Sequence, residues 1–151
     1  MKLEESVAVL RDSPLFRRID DRRLRLIALS GEMLRFRDGE TLFDRGEEGD
    51  SAFVVLSGAA EVTLPALEGA RVVATLGRGE LFGEIAALCD RPRTAGVRAR
   101  GELVALRLPS AALRRLLAEF DDLTLQLIAV MAARLDAANA RLVAEGSAPQ
   151  R

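Results

Sequence analysis

Histidine is absent from the 151 residues. That excludes His-dependent catalytic triads and the usual zinc and iron sites. Cys89 is the only cysteine, so the chain can close no disulfide on itself and holds no CxxC metal pair. Lysine is nearly missing: apart from Lys2, every basic side chain is arginine, the better fork for a carboxylate or phosphate. An excess of either charge is missing as well. With 22 basic and 23 acidic residues the net charge is -1, so no global field draws the chain towards DNA or a membrane. The opening MKLEESVAVLRD carries charge where a signal peptide needs an apolar run, and no apolar stretch approaches membrane-spanning length. The cytoplasm is the expected compartment.

What is present is the content of an ordinary globular domain, 49% hydrophobic and 30% charged, with length enough for one core. Three regions separate within an expected domain over 1–145. Residues 1–34 read as helical with breaks: Val7, Leu10, Leu15, Phe16, Ile19, Leu24, Ile27 and Ala28 supply apolar faces, Ser13-Pro14 interrupts them, and Asp20 or Asp21 is a candidate N-cap. The arginines here are interleaved with Asp12, Asp20 and Asp21, which favours solvated helix faces over a nucleic-acid patch. Residues 35–108 read as short strands punctuated by glycine turns, with alternation over Ser51 to Leu56 and Ala59 to Leu64. Strands so closely spaced imply an antiparallel barrel or sandwich of jelly-roll type. Residues 109–145 return to helix, with Ser110 as cap of a short helix through Leu117 and Asp121-Asp122 opening a longer one to about Val143. The tail 146–151 reads as loop or frayed end.

The segment Gly77 to Arg98, GRGELFGEIAALCDRPRTAGVR, sets a short helical word, Glu84 to Leu88, inside the strand region. Amides at a helix start lack intrahelical acceptors and suit an anion. Gly83 lets the backbone come close to a ligand or take positive φ. Arg93 follows the Asp90-Arg91-Pro92 turn, and a loop that folds back brings its fork to the same amides, where it can hold two phosphate oxygens. An ionised Glu84 only accepts hydrogen bonds, which fits it to sugar hydroxyls, and Thr94 adds a hydroxyl. An anion cradle, an arginine and a hydroxyl-reading carboxylate together suit a sugar phosphate.

Those residues resemble the phosphate-binding cassette of the cyclic nucleotide-binding domain family: Gly83-Glu84, the apolar Ile85-Ala86-Ala87-Leu88, then Arg93-Thr94. Pro14-Leu15-Phe16, the stretch Gly39 to Gly58 and the helices from Pro109 to Leu142 extend the resemblance over nearly the whole chain. It implies a mainly β fold with flanking α, an eight-stranded antiparallel jelly-roll barrel with N-terminal helices and C-terminal lid helices. It also implies a cassette over 82–94, with Glu84 on the ribose 2′-hydroxyl, Arg93 on the cyclic phosphate and the last helix lidding the base. The candidate ligand-binding residues are therefore Phe82, Gly83, Glu84, Ile85, Ala86, Arg93 and Thr94, with Arg134 reaching from the last helix.

Other readings attach to the same residues. Glu84 also suits a helix N-terminus by its charge, Arg93 a post-turn surface, Thr94 a strand start, and Arg134 either a base or water. Gly77, Gly79 and Gly83 spell GxGxxxG rather than the dinucleotide GxGxxG, and no GxxxxGK[ST] occurs. A cupin-type enzyme needs histidines that the chain lacks. The alternative is a structural or interaction domain that keeps the fold and has lost the ligand; the intact Gly83, Glu84 and Arg93 argue against it, and another small anion could occupy the same cradle. The expectation is thus a sensor rather than an enzyme, with no metal or cofactor beyond cAMP or cGMP as ligand. Signalling would run through a ligand-drawn lid helix to an unknown protein partner. Family members that carry a DNA-reading helix-turn-helix place it after this helix; here the chain ends at Arg151, so a stand-alone sensor or an excised regulatory fragment is expected, with no DNA binding of its own. Ile128, Met131, Leu135, Ala138 and Leu142 follow coiled-coil spacing, which suits either a weak homodimer or packing on the chain's own barrel.

Overall fold

The computed structural model describes residues 1–146. The tail expectation for 147–151 lies outside them; Gly146, placed in that tail, closes the last helix instead. Element order is α1 (Leu3–Asp12), α2 (Asp21–Ser30), β1 (Glu32–Phe36), β2 (Thr41–Phe43), β3 (Ser51–Pro65), β4 (Ala70–Leu76), β5 (Leu81–Phe82), α3 (Glu84–Cys89), β6 (Gly96–Pro109), α4 (Ser110–Glu119) and α5 (Asp121–Gly146).

All strand pairings are antiparallel, and β3 and β6 form the spine. The expected eight strands are six continuous ones, because β3 and β6 each run the length of the fold. Their ladder breaks around Ser57, dividing it into one half where Ser51–Ser57 meets Val104–Pro109 and another where Ala59–Thr63 meets Gly96–Arg100. In the first half β1 flanks β6 and β5 flanks β3; in the second, β2 flanks β6 and β4 flanks β3. Each half is thus four strands wide, the jelly-roll arrangement.

Gly58 makes the bend possible. Its φ is +83°, and a Cβ there would stand 2.1 Å from the Glu102 carbonyl oxygen, so a side chain meets both backbone strain and a backbone clash. The strand also begins earlier than expected: Glu32 to Leu34, read as the end of the helical segment, pair with Arg107 to Ala105. Edge pairing outweighs the weak helical pattern there.

The run from Ser51 to Leu56 is buried at every position, so the expected alternation is between two cores rather than between core and water. Phe53 and Val55 enter the inner cluster with Phe43, Leu76, Phe82, Val97 and Leu103. Val54 and Leu56 face the helices, joining Leu10, Phe16, Leu24, Ile27, Leu113 and Leu123. Helices on one face and a filled interior on the other account for the unbroken apolar run.

Helix boundaries follow local chemistry. Ser13 ends α1, and the Asp20 carboxylate accepts from the Arg23 amide at 3.0 Å to cap α2, a contact worth about 1 kcal/mol. Ser110 does not cap α4. Pro109 occupies that position and the Ser110 amide donates to the Asp50 carbonyl at 2.8 Å, continuing the strand register one residue before the helix turns. Leu113 and Leu116 are buried as expected, and Leu117 is half-buried. Several N-terminal arginines pair with acids, Arg11 with Asp21, Arg23 with Asp20 and Arg25 with Glu4, and Asp12 takes Arg78 from the β4–β5 turn, which leaves a mosaic rather than a basic patch.

Gly58→Ala is expected to destabilise the domain by roughly 2 kcal/mol or more. Urea denaturation checks this: the midpoint should fall at unchanged slope, and an unmoved midpoint would mean that the bend relaxes without cost.

Candidate ligand-binding site

The site is built where β5 passes into α3. Phe82 pairs with Phe53 across the sheet, and their rings stack at 5.2 Å with 11° between planes. Phe43, the last residue of β2, closes the cluster at 5.9 Å from Phe53 and 6.2 Å from Phe82. Gly83 then takes φ +77°, which turns the chain from strand to helix, and a Cβ there would lie 2.7 Å from Arg93 Nη1. Helix α3 ends at Asp90, also left-handed at φ 50°, a conformation that aspartate tolerates better than most side chains.

Arg93 comes back from that turn and is held by its backbone first. Its amide donates to the Glu47 carbonyl at 2.7 Å, and its carbonyl accepts from the Gly46 amide at 2.8 Å. The β2–β3 loop therefore grips the arginine on both sides. The side chain runs inward, only 5% exposed. Its Nη1 donates to the Gly83 carbonyl at 2.9 Å, and its guanidinium carbon lies 4.0 Å from the Phe43 ring centroid. Among the described residues it forms no ion pair, and its Nε is buried with no hydrogen-bond partner. Burial pulls the guanidinium below its usual pKa, with Asp50 and Glu47 acting in the opposite direction; an arginine nonetheless stays charged at any physiological pH. A buried fixed cation with an unused donor is a demand for an anion.

Glu84 is buried too, at 7% exposure. Burial pushes its carboxyl above the usual glutamate range, while its own backbone amide, Arg134 and Arg93 pull it back. Arg134 on α5 approaches it, Nη1 to Oε1 at 3.6 Å, and donates through Nη2 to the Leu81 carbonyl. Phe82, Gly83, Glu84, Ile85, Ala86, Arg93, Thr94 and Arg134 all line one cavity of about 330 Å³. Its far wall is apolar, from Val62, Val73, Ala74 and Leu76 of the barrel and Ala137 and Ala138 of α5. A buried cation, a buried acceptor and an apolar wall in one cavity match a ligand with an anionic group, a hydroxyl and a flat apolar part.

The family model described as "Cyclic nucleotide-binding domain" matches residues 33–120. The chain belongs to that family. Among curated relatives, the cAMP-dependent protein kinase regulatory subunit of Mycosarcoma maydis is 39% identical over 92 residues, 61% of this chain and 18% of that protein. The domain thus spans about a fifth of that relative's length. The catabolite activator protein of Thermus thermophilus superposes with a TM-score of 0.78 at 28% identity, covering 89% of this chain and 63% of that one. The regulatory domain of Toxoplasma gondii PKA, solved with cAMP, gives 0.67 at 26% identity over 75% of this chain and 43% of that one.

The sequence pattern picks out residues that line this cavity but not those that support them. In the sequence Phe43 is one hydrophobe among the strands of 35–108 and Gly49 one glycine among their turns. Yet a Cβ at Gly49 would fall 2.4 Å from Arg93 Nε. Arg141 was missed as well: it lines the cavity and donates to the Val73 carbonyl. On α5, Ala138 was placed in the coiled-coil seam, whereas it faces the cavity with Arg134 and Arg141. Met131 packs partly on the helical core. The seam reduces to Ile128, Leu135 and Leu142, which are 60%, 61% and 65% exposed.

Because the folded value for Glu84 lies above the unfolded one, its contribution to stability is present below the unfolded pKa and is lost as pH rises through the folded pKa. Glu84→Gln keeps the shape and removes the buried charge. Its melting temperature should exceed the wild type's near neutral pH, with the gap closing towards about pH 4. Thermal melts across that range check it; equal melting temperatures at neutral pH would mean that Arg134 fully offsets the burial.

Proposed function

We propose that the domain binds cAMP or cGMP in this cavity and acts as a cytoplasmic sensor module of 1–145 rather than as an enzyme. The observation that carries the reading is Arg93: a buried guanidinium with no ion-pair partner among the described residues and an unpartnered Nε. In this reading the cyclic phosphate lies against Arg93 and the amides of Gly83, Ile85 and Ala86, with Thr94 at the rim. Glu84 accepts from the ribose 2′-hydroxyl. The base rests on the apolar wall beneath α5, beside Phe82 and Arg134.

The signal leaves through α5. This helix lies over the cavity, latched through Arg134 to Glu84 and Leu81, through Arg141 to Val73 and through Glu145 to Arg71. A ribose hydroxyl that engages Glu84 competes with Arg134 for the same carboxylate, so binding and helix position are coupled through one group. The proposed output is this change in α5, read by a protein partner rather than by DNA.

Affinity should be about micromolar or tighter, roughly −8 kcal/mol. Arg93→Ala should cost on the order of 2–5 kcal/mol, about thirty-fold or more in affinity, and Glu84→Ala should cost less because its partner is a neutral hydroxyl. Calorimetry with both nucleotides tests this and separates cAMP from cGMP; undiminished affinity in Arg93→Ala would remove the cassette assignment.

Ile128, Leu135 and Leu142 recur every seven residues on the face of α5 away from the barrel, and a second copy of the helix is the occupant that such spacing suits. A weak homodimer is proposed through this stripe. Leu135→Glu should leave nucleotide binding intact and abolish the dimer in light scattering, and a wild type that stays monomeric at high concentration, with and without ligand, would end the idea.

A further inference from the structure

Arg93 is buried like a core residue, yet no carboxylate within ion-pair reach holds its charge in place among the described residues. Its surroundings are instead a slot. Gly83 lies beside Nη1 and accepts from it, and Gly49 packs so closely against Nε that no Cβ fits. The Phe43 ring forms the remaining wall, 4.0 Å from the guanidinium carbon, with Phe53 behind at 5.9 Å. The electron-rich face of an aromatic ring attracts a cation, most strongly where water is excluded. A flat ring also suits a flat guanidinium, fixing the plane in which its remaining donors point.

We propose, on the basis of the nucleotide-binding reading above, that Phe43 is a positioning residue: its ring holds the Arg93 guanidinium poised for the ligand's phosphate. The ring supplies stabilisation that a carboxylate would supply elsewhere, without competing for the guanidinium's donors. An acidic partner would have to be displaced by each incoming phosphate; a ring does not. Pre-ordering the arginine also removes part of the side-chain entropy cost of binding.

Phe43 itself lines the cavity, so direct contact with the nucleotide is the competing account, and the experiment separates the two. Titration calorimetry with cAMP and cGMP is run on wild type, Phe43→Leu, Arg93→Ala and the double variant. Phe43→Leu should lose on the order of ten-fold in affinity. In the double variant the loss should not exceed that of Arg93→Ala alone, because the ring acts through the arginine. Losses that multiply would assign Phe43 to direct contact and overturn the proposal, as would undiminished affinity in Phe43→Leu. A wild type that binds neither nucleotide would instead overturn the functional reading. Should leucine disturb the fold, stepwise fluorination of the Phe43 ring keeps its shape while draining its face of charge. Affinity falling with each fluorine is expected; a flat series overturns the proposal.

Discussion

A guanidinium almost sealed from water, with no carboxylate in ion-pair reach among the described residues, has to be accommodated by everything around it. Arg93 is in that position, and much of the domain's local geometry follows from it. The β2–β3 loop grips its backbone at Gly46 and Glu47. Gly49 and Gly83 give up side chains to leave it room, and the three-ring cluster of Phe43, Phe53 and Phe82 lies beneath it. The charge is costly to bury without an anion beside it, so the fold carries a local instability at the cavity proposed for the ligand. Glu84 repeats the pattern with the opposite sign. Its burial raises the energy of the carboxylate, and the nearby Arg134 only partly relieves it at 3.6 Å.

The spine of β3 and β6 makes such a site affordable. Each strand contributes to two cores, so residues one apart on the chain support different layers. Val54 and Leu106 anchor the helices, whereas Phe53 and Ala105 fill the interior. Stability gathered on the helical side lets the cavity side hold two buried charges. It also connects α5 to the site by short routes: Leu123 and Leu127 fix the start of the helix in the outer core, and Arg134 and Arg141 set its middle over the cavity.

How much could be read from sequence follows the range of each interaction. The cassette was legible because its parts lie within a dozen residues and each type has a local reason: a glycine at positive φ, a short helix, an arginine after a turn. The jelly-roll class was legible from glycine-punctuated strands, but its strand count was not, since only the paired structure reveals that β3 and β6 continue through the bend at Gly58. Phe43 and Gly49 stayed hidden because their meaning is a contact with Arg93, more than forty residues away in sequence. On α5 the heptad pattern was real, but helix rotation was not in it. Ala138 shares the seam's spacing with Leu135 while facing the cavity.

The pairing of β3 with β6 has a consequence for the newly made chain. Ser51 meets Pro109 and Thr63 meets Gly96, so the sheet that encloses the arginine slot has no local precursor on the nascent polypeptide. Phe43, Gly49 and Gly83 are all synthesised before the strand that closes the sheet. Non-local pairing of this kind forms slowly, and until it forms no half-built pocket exists for a small anion to occupy. Recognition therefore begins only with the finished domain, and by mass action a bound nucleotide would then protect that finished state from unfolding and proteolysis. A protein of this design would report its ligand twice, through the position of a helix and through its own lifetime in the cell.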